Sequence, residues 1–94
     1  MPPHDLHVRG ARLRVHESGD PDGPVVVLQH GWPQTSRAWR HIAPKLADDG
    51  YRVLCPDLRG LGDSEATEHG YRKDELTLDL IGILDELDVE RAAI

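Results

Sequence analysis

The sequence predicts an α/β fold: a β-hairpin followed by parallel βαβ-α units, with the sheet left incomplete. Three observations carry this. The run Val25-Val26-Val27-Leu28 is continuously apolar and mostly β-branched, the pattern of a strand covered on both faces. A second strand pattern, Tyr51-Arg52-Val53-Leu54-Cys55-Pro56, follows a segment with Trp39, Ile42 and Leu46 at helical spacing, so the two strands are expected to be parallel neighbours. Leu76, Leu80, Ile81, Ile83, Leu84 and Leu87 then form a one-sided stripe from Lys73 to Leu87, the clearest helix signal in the chain.

The remaining elements follow from local chemistry. Leu6 and Val8, then Leu13 and Val15, alternate with polar neighbours on either side of Gly10-Ala11, which reads as a tight hairpin at a sheet edge. Ser18 to Pro24 concentrates Gly, Asp and Pro in one loop. Thr35 or Ser36 suits the N-cap of the first helix, Pro44 predicts either a kink near His41 to Ala43 or a fresh short helix, and Gly50 suits the position just past its end. Leu58 to Gly70 lacks periodicity and reads as a long loop. Gly82 costs the last helix about 1 kcal/mol relative to alanine. Ala92-Ala93-Ile94 reads as the opening of a third parallel strand.

Composition narrows the possible functions. A chain of 94 residues makes one small domain, and at that size only about 60 to 65% of the unfolded surface is buried. With 38% hydrophobic residues and no Phe, the core is lean. A net charge of −6 and a pI near 5.4 speak against nucleic acid or an anionic membrane as partner. The single cysteine and the absence of an apolar leader predict a reducing, cytoplasmic setting. No apolar run reaches membrane-spanning length.

The strand at Val25 runs directly into His30-Gly31-Trp32-Pro33. This is the carboxyl end of a strand, where open α/β sheets bind ligands; Gly31 allows close backbone approach and Pro33 sets the direction of exit. Together with Asp57-Leu58-Arg59-Gly60-Leu61-Gly62-Asp63-Ser64, this loop resembles the start of an α/β-hydrolase of the epoxide hydrolase and haloacid or haloalkane dehalogenase type. The resemblance runs from about Leu6 to Ile94. Trp32-Pro33 leans toward epoxide hydrolases and the similar haloacid dehalogenases, because haloalkane dehalogenases typically resemble His-Gly-Asn-Pro here.

That resemblance implies that the backbone N–H of Trp32 is one donor of an oxyanion hole, held in place before charge develops, with its ring lining the pocket of a small-molecule substrate. It implies a loop-shaping role for His30, rather than general base catalysis, and the same architectural role for Gly31, Pro33, Asp57, Arg59, Gly60 and Gly62. Ser64 is then a turn or cap residue, and the Trp32–Pro33 bond is cis. In the resembling fold the strand from Val25 pairs with the one beginning at Ala92. Residues 1–94 correspond to the N-terminal third of such a domain, without its nucleophile elbow, cap and catalytic histidine region, so the chain alone is expected to be inactive. The alternative is a non-catalytic small domain or a truncated gene product.

Other chemistries fail on the residues. Gly60-Leu61-Gly62-Asp63-Ser64-Glu65 has glutamate where a dinucleotide loop needs its third glycine or alanine. His4 and His7, three apart on a strand, face opposite sides, so no zinc site is expected. Cys55 reads as a buried core residue. None of the serines at 18, 36 and 64 lies in Gly-x-Ser-x-Gly. No cofactor is expected.

Overall fold

A computed structural model describes residues 3–31 and 34–94. Its elements are β1 (Pro3–Val8), β2 (Ala11–Gly19), β3 (Val25–Val27), a 3₁₀ turn (Ser36–Trp39), α1 (Ala43–Asp48), β4 (Arg52–Pro56) and α2 (Lys73–Glu86). The four strands form one mixed sheet in the order β1-β2-β4-β3.

β1 and β2 pair antiparallel from Pro3↔His16 to Val8↔Ala11, closing on Arg9 and Gly10, both at positive φ (48° and 82°). Two consecutive residues at positive φ match the twist of a hairpin. The turn therefore sits one residue earlier than Gly10-Ala11, because Ala11 is buried as the first residue of β2. β2 also extends beyond the predicted strand: Val15 to Gly19 pair antiparallel with β4, which draws Ser18 and Gly19 out of the expected loop. β3 and β4 are parallel neighbours, with Val25 opposite Arg52 and Val27 opposite Leu54. Ala93 forms a parallel bridge to Val26 on the other side of β3.

Pro44 resolves into the second of its two alternatives. The chain makes a 3₁₀ turn capped by Thr35, whose hydroxyl accepts the Arg37 N–H, and then starts afresh at Ala43 with the proline in the first turn, where its missing N–H costs nothing. α1 ends in a Schellman arrangement: Tyr51 N–H reaches Leu46 O, Gly50 N–H reaches Ala47 O, and Gly50 takes φ 92°.

The sheet is covered on both faces. Val8, Ala11, Leu13, Val15, Val27 and Leu54 form one buried cluster with Ile83 of α2, while Val53 and Cys55 pack on the opposite face with Ala43, Trp39 and Leu46. Alternate residues of β4 thus serve opposite layers, and the resulting two-sided burial explains its run of apolar residues. Burial pushes the Cys55 thiol up to about 11, so it stays protonated at neutral pH. Leu80 and Leu84 of α2, with Leu87 just past its end, pack against the first cluster. Ile81 does not: it is 48% exposed, because it shares the outer face with Leu78 three residues before it. The buried face instead includes Asp79.

Two stability effects arise here. A Cβ added at Gly82 would lie 2.5 Å from Val8 Cγ1. Helix propensity alone favours alanine by about 1 kcal/mol, but crowding a buried, β-branched neighbour costs about 1 to 3 kcal/mol. Gly82→Ala is therefore expected to lower the urea midpoint, and a raised midpoint would refute this packing.

The second effect depends on pH. Glu17 pairs with Arg52 through both carboxylate oxygens (3.0 and 3.1 Å) and with His4 Nε2 (2.9 Å), tying β1, β2 and β4 together. Burial raises its pKa, but the Arg52 hydrogen bonds and charge, with the His4 contact, outweigh this and hold it below its ordinary 4.5. A lowered folded-state pKa contributes stability above the unfolded value, lost as the pH falls through the folded one. Thermal midpoints should drop progressively below pH 4.5, and Glu17→Gln should flatten that drop.

Candidate functional site

The carboxyl ends of β3 and β4 lie side by side, which brings the His-Gly loop against the Asp57 to Ser64 segment. His30 is 4% exposed. Its Nε2 accepts the Leu58 N–H at 2.9 Å, and its Nδ1 stands 3.0 Å from Gly31 O. The tautomer carrying its proton on Nδ1 satisfies both contacts, so the ring links the end of one strand to the end of the other.

Asp57 makes the second link. Its carboxylate accepts the Ser36 N–H at 2.7 Å and the Asp63 N–H at 3.2 Å, while its own N–H donates to Arg14 O at 2.9 Å. One residue, through its carboxylate and its own N–H, thereby holds the first residue of the 3₁₀ turn, the loop after β4 and strand β2 in one cluster. Ser64 Oγ donates to Asp57 O at 2.7 Å and accepts the Arg14 N–H at 2.9 Å, a brace between loop and strand. Gly62 has φ 54°, and a Cβ there would lie 2.5 Å from Asp57 Cγ. Only glycine lets the backbone pass that close to the carboxylate.

Arg59 turns away toward α2. It is 6% exposed and forms two hydrogen bonds with Asp79, at 2.9 and 2.7 Å, and further bonds to Thr67 Oγ1 and Arg9 O. Arg9 Nη1 adds a contact to Asp79 Oδ1 at 3.1 Å. Gly60, at φ 81°, passes against the Tyr71 ring, whose hydroxyl closes the loop by accepting the Thr67 N–H and donating to Thr67 O.

His30, Gly31 and Asp57 thus meet at the two strand ends with Gly62, while Arg59 serves the helix side of the same loop. Trp32, its N–H, Pro33 and the bond between them lie outside the described residues. Asp79 was missed by sequence reasoning. The available signal was an acid three residues after Leu76 and four before Ile83, inside an apolar stripe.

Among the described residues, His16, Asp57 and Asp63 bring one potential metal-ligand atom each within 4.8 Å of the others. Both Asp57 oxygens already accept backbone N–H groups, and His16 Nε2 stands 3.6 Å from one of them, so the set acts as a loop brace. No helix among the described residues is long and apolar enough to cross a membrane.

A family profile described as the alpha/beta hydrolase fold matches residues 24–94. Epoxide hydrolase A of Mycobacterium tuberculosis (strain ATCC 25618 / H37Rv) is 52% identical over 89 residues, covering 93% of this chain and 28% of that protein. Epoxide hydrolase 3 of Siraitia grosvenorii is 41% identical over 88 residues, covering 92% of this chain and 27% of its own length. The crystal structure of Epoxide Hydrolase A from Mycobacterium thermoresistibile superposes with a TM-score of 0.91 at 44% identity, over 98% of this chain and 30% of that one. The chain therefore spans less than a third of the relatives it matches. By its profile match, its mixed sheet and its strand-end loops, the chain belongs to the α/β hydrolase fold family.

Proposed function

We propose that this chain supplies the oxyanion loop of an epoxide hydrolase-like enzyme, with the Trp32 backbone N–H as one donor and His30, Gly31, Pro33, Asp57, Arg59, Gly60 and Gly62 shaping the loops around it. The observation that carries this reading is the pair of links at the strand ends, His30 to Leu58 and Asp57 to Ser36. These links restrain the backbone immediately before Trp32 and the turn after Pro33. Catalysis of this kind needs donors that do not reorganise as charge develops.

Within the whole enzyme, the substrate would be a small epoxide and the reaction would pass through a covalent intermediate. The nucleophile and general base would come from outside these residues, so the chain alone performs no turnover. Cytoplasmic placement and independence of cofactors belong to the same reading.

The test is a hybrid in which this chain replaces the matched segment of Epoxide hydrolase A of M. tuberculosis, assayed with styrene oxide, fluoroacetate and a nitrophenyl ester. The hybrid should hydrolyse the epoxide in preference to the others, and the isolated chain none of them. A folded hybrid without epoxide turnover overturns the proposal.

A further inference from the structure

Asp57 is 2% exposed, and a buried carboxylate needs a counter-charge or gives up its own charge. Its carboxylate accepts the Ser36 and Asp63 N–H groups, which are neutral donors. Among the described residues the one side chain able to carry a positive charge within 4.0 Å of it is His16, whose Nε2 stands 3.6 Å from Asp57 Oδ2. That separation is too long for a hydrogen bond, so the contact is one of charge, and a neutral imidazole contributes little to it. The Asp63 carboxylate lies within 4.8 Å of the same pair and adds a second negative charge for the ring to balance. Arg14, on the same strand, is shared between Asp5 and Asp63. Cys55, opposite His16 on β4, stays protonated, and Pro3 lies opposite on β1. α1 and the 3₁₀ turn bring Ala43, Leu46 and Trp39 to this face of the sheet, while their Arg37, Arg40, Lys45 and Asp48 are exposed.

We propose that His16, in its protonated form, is the counter-charge of Asp57 and thereby a positioning residue that makes the strand-end brace sensitive to pH. Histidine changes charge between about pH 5 and 8. The charged ring favours the paired arrangement, so its contribution is present at the acid end of that range and lost as the pH rises through it. Once the ring is neutral, Asp57 is buried beside Asp63 without a counter-charge, and its hold on the Ser36 N–H weakens. Ser36 opens the turn after Pro33, and the consequence for the Trp32 donor rests on the reading under Proposed function.

The experiment uses the hybrid enzyme, unsubstituted and with His16→Gln, which is neutral, or His16→Lys, which stays charged. Exchange of the Ser36 amide hydrogen, corrected for its intrinsic rate, is measured at about pH 5.5 and about pH 8. The Arg52 amide, bonded to Pro24 O, is the reference. Protection of Ser36 should fall about five- to tenfold between the two conditions in the unsubstituted hybrid. It should stay high in His16→Lys and low in His16→Gln, with Arg52 unchanged. A merely structural ring would leave no step with pH. Equal protection at both pH values in the unsubstituted hybrid, or a step that persists in His16→Gln, overturns the inference. Both outcomes are read without His16→Lys, so misfolding of that variant leaves the test intact. Epoxide turnover is read separately: kcat of His16→Lys relative to the unsubstituted hybrid should rise with pH in step with the loss of Ser36 protection. A step in Ser36 protection with a flat kcat ratio keeps the His16 counter-charge and rejects the oxyanion role of Trp32.

Discussion

Asp79→Ala is expected to cost about 3 to 5 kcal/mol, the penalty for removing one partner of a buried ion pair and leaving the other charge uncompensated. The Arg59 and Asp79 side chains are only 4% and 5% exposed. Without the carboxylate, the guanidinium would retain Thr67 and Arg9 O as acceptors but lose its counter-charge, and Arg9 would lose its contact as well. A loss of that size is a large share of the 5 to 15 kcal/mol typical of a whole domain, so the variant should lack a cooperative urea transition. The double variant Arg59→Met/Asp79→Leu removes both charges and should recover much of the loss, since apolar replacement of a buried pair is often nearly neutral. Near-UV circular dichroism against urea measures both. If Asp79→Ala melts within about 0.5 kcal/mol of the parent, the pair contributes no more than an ordinary surface contact.

Trp32→Pro, made in the hybrid enzyme, is expected to lower kcat about 100- to 1,000-fold, the usual effect of losing one oxyanion donor. Proline deletes the backbone N–H itself, which side-chain substitutions leave in place. Trp32→Phe is the matching control: it keeps the N–H and an aromatic wall, and should act mainly on KM. Equal losses of kcat in the two variants would assign the effect to the ring rather than the amide. The folded fraction of each variant, measured by its melting curve, separates this from unfolding.

The sequence by itself determined the type and order of the elements, because these depend on short-range patterns. Period-two alternation in Leu6 to Val15, the apolar runs at Val25 and Val53, the spacing from Leu76 to Leu87 and the turn residues act over one or two turns of chain. The same locality made the strand-end site legible, since His30-Gly31 and Asp57 to Ser64 each follow a recognisable strand. Only the tertiary structure decided which side chains meet. β2 became an interior strand through pairing with β4, about forty residues away, which no local pattern encodes. Ile81 fell on the solvent face while Asp79 was buried, because Arg59 arrived from another loop to neutralise it. Gly82 would be a weak point in any isolated helix, yet it gives Val8 the room to pack. In each case the deciding term is a contact between residues distant in sequence, whose energy exists only once the sheet and helices have been brought together.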